Sequence, residues 1–297
     1  AHLLIGAEGT LAFISEAILR TVEDLPYKAT SLSFFADAHA ACGIIPELIA
    51  IDCDAVEFMD RASLDSIRHL EGVPAGLGQQ LDSHRSLMGL LFEFHGSDIQ
   101  SLNERIEHFQ SRCLPKMKSL GQPRFTFDKK EQANIWKLRK GMYPAVAAVR
   151  ARGESAILED IALSVERLGD AIIDLQQLFV DHEYENGIIF GHAKDGNLHF
   201  VISQPMASQK DNDKYSRFMD GMVHLVVNKY DGALKAEHGT GRNIAPYVET
   251  EWGTEAVSIM RRLKDAVDPD GLLNPDVILS SNPKIHLENI KELPVIE

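Results

Sequence analysis

A chain of 297 residues, 44% of them apolar, can build a real core in one large or two smaller globular domains. A formal charge of −14, from 44 acidic and 30 basic residues with no dense Lys/Arg block, argues against a nucleic-acid partner. Cys42, Cys53 and Cys113 stand singly, so neither an iron–sulfur nor a cysteine-type zinc site is expected within the chain, and no apolar run approaches membrane-spanning length.

In chain order, Thr30–Phe35 reads as a strand and Asp37–Ile49 as a helix capped by Asp37. Ala55–Met59 is a second strand, and Ser63–Leu70 a short helix with Ser63 as its cap. The stretch PAGLGQQLDSH reads as a loop and Ser86–Phe94 as a buried strand. Ser101–Met117 and Glu131–Val149 read as helices, the second with a break at Pro144. Ala156–Leu163 is a strand, followed by an amphipathic helix with the stripe Leu168, Ile172, Leu175, Leu178 and Phe179. Strands follow at Gly187–Phe190 and Leu198–Ser203, then a helix at Lys214–Asn228, a strand at Ala233–Glu237 and a helix at Thr254–Val267. This order predicts an α+β domain, with helices packed on one face of a largely antiparallel sheet.

Between the Gly187–Phe190 and Leu198–Ser203 strands, GHAKDGNLH carries an Asp-Gly pair of the kind found in tight turns. A hairpin here puts His192 and His199 near the same sheet end, where two imidazoles can share one metal ion. Glu237, in KAEHGTGR, ends another predicted strand and offers a carboxylate. A His/His/Glu set with vacant positions is a catalytic metal arrangement. The plainer reading, of two hydrogen-bonded histidines beside a polar turn, stays open on spacing alone. On the same terms Gly239 and Gly241 are loop glycines, and Arg139 and Lys140 a solvated helix face.

Six stretches, taken together and in order, resemble the C-terminal half of FAD-linked oxidases of the vanillyl-alcohol oxidase type. They are GAEGTLAFISEAILR (residues 6–20), WKLRKG, ILEDIALSVERL, GHAKDGNLHF, EHGTGR and DPDGLLNPD. The likeness is strongest to bacterial D-2-hydroxyacid dehydrogenases that carry FAD and an iron–sulfur domain in one chain. It implies a ferredoxin-like substrate or cap domain over residues 26–275. Residues 1–25 would be the end of an FAD-binding domain, and 276–297 a connector toward an iron–sulfur domain. The resemblance implies FAD contacts at Gly6, Glu8, Gly9, Thr10 and Asn274, with most of the FAD held by a domain outside the chain. It implies His192, His199 and Glu237 as ligands of a divalent metal, with zinc expected and iron, cobalt or manganese as alternatives that accept the same donors. It implies His238 as the general base and Arg139 as the partner of the substrate carboxylate.

The substrate would be a small 2-hydroxy acid, with 2-hydroxyglutarate and lactate both open. Electrons would leave to the iron–sulfur cluster or a respiratory chain. The expected location is cytoplasmic, with peripheral attachment at the inner membrane for the whole polypeptide. The sequence departs from the family's pattern at Ala12, Ser164, Lys194 and Asp276, none of them a proposed ligand. Two other readings use the same residues: a ferredoxin-like binding module without chemistry, and a metal-dependent hydrolase.

Overall fold

A computed structural model describes residues 3–74 and 76–290. The last part of the expected connector, 291–297, lies outside the described residues. The chain divides into two compact units, one holding residues 23–158 and 163–205, the other residues 3–22, 159–162 and 206–290.

The first unit contains β1 (Tyr27–Phe35), α1 (Ala38–Cys42), α2 (Ile45–Ala50), β2 (Ala55–Met59), α3 (Arg61–Ser66), α4 (Leu77–Ser83), β3 (Met88–Gly96), α5 (Ile99–Arg112), β4 (Phe125–Thr126) and α6 (Lys129–Val149). Then follow β5 (Glu154–Ala162), whose last four residues belong to the other unit, α7 (Leu168–Asp181), β6 (Ile188–His192) and β7 (Asn197–Pro205). The seven strands form one sheet in the order β4-β1-β3-β2-β6-β7-β5. The pairs β1–β3, β1–β4, β2–β3, β2–β6 and β6–β7 are antiparallel.

Strand alternation sorts the side chains between two faces. Val56, Phe58, Phe92, Phe94 and Phe200 point to the face covered by α1, α5 and α7. There Phe92, Phe94, Phe109 and Phe125 pack as tilted and edge-to-face rings with centroids 5.3–6.5 Å apart. Leu32, Met59, Leu91, Phe190 and Val201 point to the other face. They pack there with Leu64 of α3, Leu77 and Leu81 of α4, and Ile135, Leu138, Met142 and Val146 of α6. This second face also carries Glu57, His192 and His199.

Several elements depart from their sequence reading. The helix expected at 37–49 is two, α1 and α2, although Asp37 does cap the first through the Ala40 N–H at 2.8 Å. The chain turns at Gly43 and restarts with Pro46 in the first turn of α2, where a missing N–H costs nothing. The cap of α3 is Asp60, whose carboxylate accepts the Ser63 N–H at 2.8 Å. Ser63 itself is buried and donates its hydroxyl to the Ile189 carbonyl. The PAGLGQQLDSH stretch contains α4, because Leu77 and Leu81, four apart, bury together. α6 runs through Pro144. Burial pushes the Cys42 and Cys53 thiols up to about 12 and that of Cys113 to about 11, so all three act as small apolar residues.

The second unit holds α8 (Gln209–Val223), α9 (Gly241–Ile244) and α10 (Val248–Val267), the last broken at Gly253 with φ +77. Ser208 and Asp211 form a capping box at the start of α8. α8 continues as a wider π-type turn over His224–Lys229. The closing DPDGLLNPD loop is shaped by Asp268, which accepts the N–H groups of Leu272 and Leu273 and the ammonium of Lys264. Asp276 in that loop has φ +65, a conformation glycine adopts freely and aspartate tolerates. No helix among the described residues is long and apolar enough to cross a membrane.

Candidate functional site

The hairpin predicted at GHAKDGNLH forms. β6 and β7 pair with Phe190 opposite His199, and His192 lies opposite Glu57 of β2. Alternation therefore puts Glu57, Phe190, His192 and His199 on one face. The turn is a single helical loop over Ala193–Asp195, closed by Gly196 at φ +69. Gly196 donates to and accepts from neighbouring backbone, and a Cβ there would fall 2.0 Å from the Leu163 carbonyl oxygen. Only glycine meets both demands, so the Asp-Gly pair is set by close packing as well as by turn shape.

The His192 and His199 rings lie 5.2 Å apart, edge to face. His199 is buried, while the His192 side chain is 41% exposed. Phe190 stacks beside His199 at 5.5 Å. Glu57, itself buried, bridges two groups. Its Oε1 lies 2.6 Å from His192 Nδ1, and its Oε2 accepts Arg139 Nε and Nη2 at 2.8 and 2.7 Å.

Arg139 lies on α6, so it is buried rather than on a solvated helix face, with its guanidinium 4.6 Å from the Phe190 ring centroid. One helical turn earlier, Trp136 donates its indole N–H to Glu93 at 2.8 Å. Burial alone would raise the Glu93 carboxyl; hydrogen bonds from His95, Thr30 and Trp136 outweigh it and hold that carboxyl below the usual range. The W-x-x-R pair thus clasps α6 to the sheet through two buried carboxylates. Glu57 thus takes the Nε and Nη2 edge of the Arg139 guanidinium.

In the second unit, the strand expected at 233–237 does not form. Ala233 makes one bridge, to Ala162, and the chain then curls around Asp160. The fully buried Asp160 accepts through Oδ2 the backbone N–H groups of Ala236 at 3.1 Å, Glu237 at 2.6 Å and His238 at 3.3 Å. Three successive donors converging on one oxygen cannot also alternate along a ladder, so strand pairing is lost. The curl holds the Glu237 and His238 backbone in place. The His238 ring lies 3.6 Å from Asp160 Oδ1 and 3.8 Å from Glu237 Oε1. Lys235 reaches Glu159 at 2.5 Å, and Asn243 donates to the same carboxylate. Burial pushes the Glu159 carboxyl above its usual range, against the pull of Lys235.

Gly6 and Gly9 take φ values of +77 and +74, which frame the residues between them as a tight turn. Within it Glu8 accepts the Gly241 N–H at 2.9 Å, and Asn274 donates to the Glu8 carbonyl at 2.7 Å. Thr10 donates to the Val277 carbonyl at 3.1 Å. A Cβ at Gly239 would sit 2.8 Å from the Glu8 carboxyl carbon, so this glycine is a packing requirement and not a loop filler. The polar side chains at the expected flavin contacts therefore also knit residues 6–10 to the EHGTGR and DPDGLLNPD segments.

Sequence reasoning did not single out Glu57, Glu93, Glu159 or Asp160. The available signal was an acid inside an otherwise apolar strand, as in AVEFM and LLFEF, and the Glu-Asp pair in ILEDIA. Such an acid needs a buried partner. A cavity of about 800 Å³ beside Tyr27, Ile99 and Phe127 contains none of the residues above.

Among solved structures, alkyldihydroxyacetonephosphate synthase superposes with a TM-score of 0.61 at 16% identity, over 92% of this chain and 48% of that one, which shows the shared fold. Residues 25–278 match the family model for the C-terminal domain of FAD-linked oxidases, and the chain belongs to that family. It is 29% identical to a mitochondrial D-2-hydroxyglutarate dehydrogenase of Arabidopsis thaliana, over 94% of this chain and 48% of the relative. It is 26% identical to a mitochondrial D-lactate dehydrogenase (cytochrome) of the same plant, over 94% and 47%. The chain thus spans about half the length of these curated relatives.

Proposed function

We propose that this chain is the substrate- and metal-binding part of a flavin-dependent dehydrogenase that oxidises a D-2-hydroxy acid to the 2-oxo acid. The observation that carries the reading is the imidazole pair on the β6–β7 hairpin, backed by a buried carboxylate, in a member of the FAD-linked oxidase family. Both relatives above are named for 2-hydroxy acids.

His192 and His199 fit a nitrogen-ligand pair: they share a face, their rings are adjacent, and the Nδ1 side of His192 is engaged by a carboxylate. With Glu237 they would hold a divalent cation, which when bound supplies a Lewis acid that lowers the pKa of a hydroxyl group. His238 would take the hydroxyl proton. Arg139, a permanently charged donor fork, would orient the substrate carboxylate. The FAD, when bound, supplies the acceptor for the hydride from the 2-carbon.

The test is anaerobic mixing of the complete FAD-loaded, metal-loaded polypeptide with single 2-hydroxy acids while flavin absorbance is followed. Bleaching by D-2-hydroxyglutarate or D-lactate, and not by the L-isomers, is expected. An oxidised flavin with every D-2-hydroxy acid tried would reject the reading.

A further inference from the structure

We infer that Glu57 is a positioning residue that sets the tautomer of His192, and that Arg139 holds Glu57 in place to do so. The inference rests on the reading of His192 as a metal ligand and adds how this chain prepares that ligand. Glu57 lies mid-strand in β2, buried, directly opposite His192 in the β2–β6 register. Its two oxygens have separate tasks, Oε2 for the guanidinium and Oε1 for the ring at 2.6 Å.

A carboxylate only accepts hydrogen bonds, so the proton between Oε1 and Nδ1 belongs to the imidazole. In its neutral form the ring then carries its lone pair on Nε2, the nitrogen that a cation requires. The guanidinium is donor-only and cannot be deprotonated, so it keeps Oε2 engaged. The 4.6 Å stacking of Arg139 on Phe190 fixes the guanidinium beside the hairpin. A single chain of contacts thus runs from α6 through β2 to the β6 end: Arg139, Glu57, His192.

The decisive variant is Glu57→Gln. An amide has one accepting oxygen and two claimants. Arg139 can only donate, so it takes the oxygen, and the amide NH₂ faces His192 Nδ1. The ring must then accept at Nδ1 and carry its proton on Nε2. Removing the competitor in Glu57→Gln/Arg139→Leu frees the amide oxygen to turn to His192, which makes the original tautomer available again. A purely structural role for Glu57 predicts no such rescue.

The tautomer is read from ring-nitrogen chemical shifts in the metal-free chain labelled with ¹⁵N-histidine, with the His192 signals assigned by His192→Ala. The same proteins are titrated with Zn²⁺. The expected result is an Nδ1–H ring in the wild type, an Nε2–H ring in Glu57→Gln, and an Nδ1–H ring again in the double variant. Zinc affinity falls about 10- to 100-fold in Glu57→Gln and largely recovers in the double variant. An Nε2–H ring in the wild type, which needs no variant to fold, overturns the inference. So does a tautomer in Glu57→Gln that matches the wild type, or a moved tautomer with unchanged zinc affinity. A tautomer that follows Glu57 in proteins that bind no zinc upholds the positioning and rejects the metal-ligand reading instead.

Discussion

Replacement of His238 by alanine lowers the rate of flavin reduction by about 10²- to 10⁴-fold, the usual contribution of a positioned general base. Flavin and metal contents stay at wild-type levels, because the substitution removes a ring and leaves the neighbouring donors in place. The backbone of His238 is held independently of its ring, through the N–H that it gives to Asp160. The ring is partly exposed and lies 3.6 Å from Asp160 Oδ1 and 3.8 Å from Glu237 Oε1. Stopped-flow reduction of the complete polypeptide measures the effect. A rate within about threefold of wild type would remove His238 from the role of base.

The largest loss of stability is expected for Asp160→Ala. This carboxylate is fully buried and serves three backbone donors at once. Truncation strands the three N–H groups and leaves Lys235, 3.6 Å away, with one acid fewer. Hydrogen bonds to a charged group and unpaired buried donors together put the cost at about 3–5 kcal/mol in denaturant unfolding. Asp160→Asn keeps one accepting oxygen for the curl and should cost roughly 1–2 kcal/mol. Flavin reduction falls with both variants, because Glu237 and His238 lose the backbone anchor that directs them. A loss below about 1 kcal/mol for Asp160→Ala would show that the curl holds without its carboxylate.

The elements that sequence periodicity located well are those with a long, repeated pattern. β1, β3, β5 and β7 each supply nine residues of strand, and the Leu168–Phe179 stripe of α7 buries as its spacing requires. The failures share a different cause. β4 is two residues long, too short for any period. In α4 the glycines of PAGLGQQ hid the Leu77–Leu81 spacing. In 233–237 the alternation of ALKAE imitates a strand, and the curl around Asp160 is imposed by a residue more than seventy positions away. The hairpin with its two histidines was legible because the turn and both imidazoles are local in sequence. The Arg139–Glu57–His192 chain was not, since its members are separated by 82 and 135 positions and meet only through sheet register.

The measurement that tests the central claim most directly is the divalent metal content of the purified chain, made in parallel on His192→Ala/His199→Ala. The account predicts a divalent metal bound by the wild type after reconstitution and lost in the double variant, with both proteins folded. Equal metal content in the two, or none in a reconstituted complete polypeptide, would contradict the assignment of the β6–β7 hairpin as a ligand site.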